Sequence, residues 1–215
     1  PLVKHSFLVR EVSELAGVLE GAFRIASTGR PGAVLVDIPV DVQNGQTAFK
    51  GGKKLAFPGY SFEGCEDLSA IDEAARLLGD ARRPVILAGG GVVIARASEA
   101  LTELAERRNI PVTTTLMGKG AIPEDHPLSL GMLGMHGTPQ ANLAISEADV
   151  ILAVGTRFSD RSTGNRETFA QEAKIIQVDV DRAEFGKNIP PHMTLLGDAG
   201  KVLAELNWKL SKPAE

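Results

Sequence analysis

The 215-residue chain carries one cysteine, Cys65. A lone thiol closes no internal disulfide and builds no cysteine-ligated zinc site, so a reducing, cytoplasmic setting is expected. His5, His126, His136 and His192 are scattered along the sequence, and no metal-ligand cluster is expected from them. No apolar run approaches the roughly 20 residues that a membrane-crossing helix needs. The start, Pro1-Leu2-Val3-Lys4-His5-Ser6, lacks the basic-then-apolar order of a secretory leader, and Pro1 in place of Met suggests an excised piece. Net charge is −4 with acids and bases interspersed. Without a basic stripe, neither nucleic acid nor a membrane is an expected partner. A Gly-x-Ser-x-Gly nucleophile elbow and a Walker phosphate loop are also missing; Gly118-Lys119-Gly120 lacks the hydroxyl residue and the upstream spacing.

What remains is ordinary for a globular protein: 43% apolar and 23% charged residues. Three zones can be separated. In residues 1–42, Val12, Leu15, Leu19, Ala22, Phe23 and Ala26 recur at helical spacing, and Thr28-Gly29-Arg30-Pro31-Gly32 stops the helix. Ala33 to Ile38 reads as a buried strand that Pro39 ends. One helix and one strand cannot bury their apolar faces by themselves, so this zone is expected to be the remnant of another domain. Residues 43–68, with Asn44-Gly45, Gly51-Gly52, Pro58-Gly59 and Gly64, read as a linker.

Residues 69–210 alternate strand and helix. Ser69 with Asp72 suggests a capping box. Strands are expected at Pro84 to Ala88, Pro111 to Thr115, Asp149 to Val154 and Lys174 to Val180, with a weaker one at Met193 to Leu196. Helices are expected near 97–108, from Thr138-Pro139 through Ser146, and near 199–210, with the next linker starting at 211. The pattern implies an α/β fold with a doubly wound, mostly parallel, Rossmann-like sheet.

Ligands of such sheets sit beyond the carboxyl ends of the strands. The first strand is followed by Gly89-Gly90-Gly91, where glycines allow close backbone approach to a phosphate; a tight turn with no ligand reads equally well. Further on, Leu133-Gly134-Met135-His136-Gly137 runs into a helix cap, either as an anion- or ring-binding loop or as a plain surface loop. Gly155-Thr156-Arg157-Phe158-Ser159-Asp160-Arg161 offers two arginines suited to a diphosphate, or a local Arg157–Asp160 pair. Asp179 and Asp181, with Glu184 nearby, offer carboxylates for ribose hydroxyls, and Asp181 also suits a helix cap.

The sequence resembles the large, catalytic subunit of the acetolactate synthases, a thiamine-diphosphate-dependent enzyme family. The matching stretches are 3–9, 26–39, 88–91, 133–137, Arg157 to Arg161 and Asp179 to Asn188. The resemblance implies a six-stranded middle domain that holds FAD structurally. Its implied contacts are Gly89, Gly90, Gly91, Thr115, Leu116, Met117, Leu133, Gly134, Met135, His136, Gly137, Gly155, Arg157, Asp179, Asp181, Glu184 and Asp198. Lys4, Met135, His136, Asp160 and Arg161 would border the substrate channel, with Arg161 toward the second 2-oxoacid.

By the same resemblance, thiamine diphosphate and Mg2+ belong to the full-length parent. Their catalytic glutamate would lie before Pro1 and their Gly-Asp-Gly motif after Glu215. Gly197-Asp198-Ala199 with Asn207 imitates that motif at the wrong spacing. Ser159 departs from the aspartate common in relatives. Implied partners are small 2-oxoacids, the missing domains, further copies of the full-length enzyme and a small regulatory subunit. Another flavin-bearing thiamine enzyme, such as a glyoxylate carboligase or pyruvate oxidase, and a non-catalytic assembly domain are the alternatives.

Overall fold

A computed structural model describes residues 2–49 and 66–211. Most of the expected linker, Cys65 included, and the segment after Ser211 lie outside them. The chain divides into two compact units, Pro1–Gly64 and Cys65–Glu215.

The first unit holds β1 (His5–Leu8), α1 (Leu15–Ser27), β2 (Val34–Asp37) and the single turn α2 (Val40–Gln43). β1 and β2 pair in parallel, so α1 is a crossover helix and the unit is a βαβ motif. The strand β1 is a correction to the sequence reading, which had left the helix and β2 without a sheet partner. A second correction concerns the packing face of α1. Gly17, Val18, Gly21, Ala22 and Ile25 are its buried residues, while Leu19 and Phe23 are 38% and 75% exposed. Small residues let the helix approach the strand pair closely, and the bulkier stripe points away from it.

The second unit runs α3 (Ile71–Asp80), β3 (Pro84–Ala88), α4 (Gly90–Ile94), α5 (Ser98–Arg108), β4 (Val112–Thr114), β5 (Ser129–Met132), α6 (Pro139–Glu147), β6 (Val150–Val154), α7 (Asp160–Thr163), β7 (Lys174–Asp179), β8 (Met193–Leu196) and α8 (Ala199–Ser211). The six strands form one sheet in the order β5-β4-β3-β6-β7-β8, with every pairing parallel. Counted within the sheet, that is the 3-2-1-4-5-6 order of dinucleotide-binding folds, and it reverses direction between β3 and β6.

Both faces of the sheet are covered, which explains the unbroken apolar runs of its central strands. Along β3, Ile86 and Ala88 pack with residues of α3, α5 and α8, such as Leu78, Leu104 and Leu203. Val85 and Leu87 pack on the opposite side with Ile145 of α6, Phe158 and Ile189. Burial of each large side chain contributes about 1.5–3 kcal/mol.

Two local expectations at the start of this unit change. The Ser69–Asp72 capping box does not form: α3 begins at Ile71 without a side-chain cap, and the Ser69 hydroxyl instead donates to Asp67 Oδ1 at 2.7 Å. Asp67 also bridges Leu196 in antiparallel fashion, with N–H···O distances of 2.8 and 3.1 Å, so residues 66–69 dock along the outer edge of β8. The hydrogen bonds from Ser69, side chain first and backbone second, hold the exposed Asp67 carboxyl below its ordinary pKa.

At the amino ends of the strands, Asp149 ties three elements together. Its carboxylate accepts the N–H groups of Arg82 at 2.7 Å and Arg83 at 2.9 Å, while its backbone carbonyl accepts Lys174 N–H at 2.8 Å. Partial burial works against the charge, but the N–H groups of Arg82 and Arg83 outweigh it and the carboxyl is held below its ordinary pKa. A carboxyl whose pKa falls on folding stabilises the fold above its unfolded value and loses that contribution as pH drops through the folded one. Asp149→Asn should therefore destabilise by about 1 kcal/mol at pH 7. In urea melts the gap to the wild type should close below about pH 4; a gap independent of pH would contradict this account.

Candidate functional site at the strand ends

At the switch point the turn after β3 and the end of β6 are locked backbone to backbone. Gly89 N–H donates to Val154 O at 2.8 Å and Gly91 N–H to Gly155 O at 3.0 Å. Gly155 adopts a left-handed φ of +59°. A methyl added to Gly91 would lie 2.6 Å from the Gly155 Cα, and one added to Gly155 would lie 2.5 Å from the Gly91 Cα. At Gly89 it would meet the Gly155 carbonyl carbon at 2.6 Å. Close approach within the chain thus fills the space beside Gly89 and Gly91. Gly90 is different. Its N–H has no protein acceptor among the described residues, and an added methyl would face Met117 at 3.1 Å. The following helix, α4, is a single turn, so its macrodipole is weak.

The neighbouring strand ends converge on the same edge. After β4, Thr115 is buried and its hydroxyl accepts the N–H of Gly118 at 3.2 Å. That short turn holds Leu116 and Met117 outward, 68% and 71% exposed. After β5, Leu133 is buried while Met135 and His136 are exposed. Thr138 caps α6, accepting Ala141 N–H at 3.2 Å and donating to Leu130 O at 2.5 Å.

After β6, Phe158 is 1% exposed, takes a positive φ of 50°, and meets Phe169 edge-on at 5.9 Å. A bulky residue with φ above zero is strained. Burial of its ring holds the turn in place and leaves Arg157 exposed on one side, Ser159 and Asp160 on the other. After β7, Asp179 and Glu184 are 9% and 5% exposed. Asp179 accepts the N–H of Asp181 at 2.9 Å, Asp181 accepts that of Ala183 at 3.0 Å, and Glu184 pairs with Lys187 at 3.2 Å. The cap expected at Asp181 is therefore present.

Some expected site residues have other duties in view. Asp198 Oδ1 accepts Gly200 N–H at 2.9 Å and Lys201 N–H at 3.2 Å, capping α8. Asn207 is buried against α5 with Nδ2 on Ala100 O at 2.9 Å, so the imitation Gly-Asp-Gly motif is split between two structural tasks. Lys4, in the first unit, donates to the carbonyls of Ile25 at 2.5 Å and Thr28 at 2.6 Å at the negative end of α1. Met135 and Arg161 are brought together through the backbone, Met135 N–H donating to Arg161 O at 3.2 Å.

Two residues escaped the motif reading. Asn142 accepts from the N–H of Gly134 and donates to its carbonyl, and Asn188 Nδ2 donates to Arg157 O at 2.8 Å. Asn188 lay inside a matching stretch but had no assigned task; nothing in sequence marks Asn142. An open groove of about 680 Å3 lies elsewhere, between α5 (Thr102, Glu106) and residues 119–124. None of the expected site residues lines it, and the switch-point edge is where the fold, the arginine and the buried carboxylates coincide.

These features define an α/β domain with a doubly wound, six-stranded parallel sheet whose strand order reverses between β3 and β6. The thiamine pyrophosphate enzyme, central domain, family matches residues 71–206, and the chain belongs to that family. It is 51% identical over 209 residues to a probable acetolactate synthase large subunit of Methanocaldococcus jannaschii, covering 96% of this chain and 35% of that protein. It is 48% identical over 206 residues to an acetolactate synthase of Mycobacterium bovis (96% and 33%), and 47% identical over 210 residues to the Escherichia coli acetolactate synthase isozyme 1 large subunit (96% and 36%). The chain spans about a third of the length of these curated relatives.

The backbone lock at Gly155 should show in stability. Gly155→Ala combines a left-handed φ with a collision and should cost about 3 kcal/mol in urea unfolding. Gly120 also has a positive φ, +89°, but nothing within 4 Å of an added methyl. Gly120→Ala should cost only about 1 kcal/mol, and equal costs would show that the lock contributes nothing.

Proposed function

We propose that this chain is the FAD-holding central segment of an acetolactate synthase large subunit. The observation that carries the reading is the convergence of a cationic side chain, buried carboxylates and an exposed apolar rim on the switch point of a chain 46–51% identical to proteins of that name. The donor set fits a flavin dinucleotide. Arg157 and the open N–H of Gly90 suit a diphosphate; Asp179 and Asp181 suit ribose hydroxyls. Leu116, Met117 and Met135 give a flat ring an apolar bed. Thr115, the glycines and Glu184 form the frame behind them. FAD bound here serves as a structural group without net electron transfer.

The parent enzyme, in this reading, condenses two pyruvates, or pyruvate and 2-oxobutanoate, with loss of CO2. It does so in the cytoplasm, with thiamine diphosphate and Mg2+ held by segments other than this one. Met135, His136, Asp160 and Arg161 face the substrate path, and the Arg161 guanidinium is suited to clamp a 2-oxoacid carboxylate at two points. The parent works as a homo-oligomer with a small regulatory subunit, and this chain alone forms no acetolactate.

Titration of the folded chain with FAD, followed by flavin fluorescence, tests the cofactor assignment. Saturable binding is expected, weakened about tenfold by Arg157→Ala. Absence of binding at high micromolar FAD would remove the assignment. Acetolactate formation from pyruvate by the 215 residues, supplied with all three cofactors, would overturn the inactivity of the piece.

A further inference from the structure

The loop Leu133–Gly137 contains two glycines and projects Met135 and His136 from the ligand edge. Such a loop would sample many conformations, and ordering it on binding would weaken affinity. Backbone bonds fix its ends, Leu133 N–H to Thr114 O at 2.8 Å and Gly137 N–H to Gly134 O at 2.9 Å, and a side chain outside the loop holds its middle. Asn142, one turn into α6, accepts the N–H of Gly134 at 3.1 Å through Oδ1. Its Nδ2 donates to the Gly134 carbonyl at 3.2 Å and to the Thr138 carbonyl at 3.1 Å.

Gly134 has a φ of +106° and lies against α7, where an added methyl would stand 2.9 Å from the Ser162 Cα. The next residue, Met135, donates its N–H to Arg161 O at 3.2 Å. Fixing Gly134 therefore fixes the backbone that carries Asp160 and Arg161 as well. Only an amide side chain can accept from one backbone group while donating to two others at this spot.

We infer that Asn142 is a positioning residue of the strand-end site: it holds the Leu133–Gly137 loop in its binding conformation, the one in which Met135 N–H reaches Arg161 O of α7. The effect on the ligand rests on the FAD reading above; the effect on the loop does not. Asn142 is exposed, so its hydrogen bonds compete with water and add little to global stability. Their consequence is local order.

The test compares the whole chain with Asn142→Leu, which removes all three bonds, and Asn142→Asp, which keeps only the acceptor. Gln140→Ala, at another exposed position of α6, serves as control. In Asn142→Leu, amide exchange at Gly134 and Met135 should accelerate at least tenfold while the melting temperature and exchange in the sheet stay unchanged. FAD affinity should fall about tenfold, with Asn142→Asp intermediate and the control at wild-type level. A merely structural role would instead lower the melting temperature and speed exchange throughout the unit. Unchanged exchange at Gly134 and Met135 overturns the inference, and so does accelerated exchange with unchanged FAD affinity. If the folded wild type binds no FAD, the FAD reading fails on its own, and the exchange data alone decide whether Asn142 holds the loop.

Discussion

The structure of the second unit depends on the approach of two backbones, the turn after β3 and the end of β6. Adjacent parallel strands whose chains depart to opposite sides leave a crevice between them, and here glycines bring its walls into contact. Gly91 and Gly155 stand so close that neither tolerates a side chain, and the N–H of Gly91 closes on the Gly155 carbonyl. This contact sets the floor from which the other strand ends project. Thr115 and Asp179 are buried at its flanks, and Leu116, Met117 and Arg157 rise exposed around it.

The floor is rigid because the sheet beneath it is covered on both faces. Ile86, Leu152 and Ile176 are fully buried on one side, Leu87, Ile151 and Ala153 on the other. Parallel strands buried in this way leave little freedom at their carboxyl ends, so flexibility is confined to the loops. Side chains then control the loops individually: the Thr138 cap and Asn142 hold one, the Phe158 ring and Asn188 another. Anchoring function-bearing loops on a rigid scaffold is a general solution to precise placement.

Much of this was legible in the sequence. Val85–Ala88 and Val150–Val154 are apolar runs, and Ile175–Val178 is broken only by Gln177; their length and β-branching favour a buried parallel strand. Thr138-Pro139 and Asp181 announced their caps. What was not legible depends on tertiary context. Ser129-Leu130-Gly131-Met132 alternates over only four residues around a glycine, too short a signal to mark a strand, and it becomes β5 because the open edge of β4 is there to pair with. The packing face of α1 was misjudged because hydrophobic periodicity weights Leu19 and Phe23 above Gly17 and Gly21, although closeness of approach favours the small residues. Ser69 was read as a cap because nothing in the sequence shows that Asp67 takes its hydroxyl. Of the glycines after β3, Gly89 and Gly91 face the Gly155 backbone, a distinction that spacing cannot make.

On the function proposed here, the strand ends around the β3–β6 lock hold FAD, and amide exchange across the chain with and without saturating FAD is the deciding measurement. Added protection is expected at 89–92, 115–118, 133–137, 155–158 and 179–184 alone, with residues 98–106 and 119–124 of the open groove unchanged. Protection concentrated in that groove, with the strand ends unaffected, would place the flavin elsewhere.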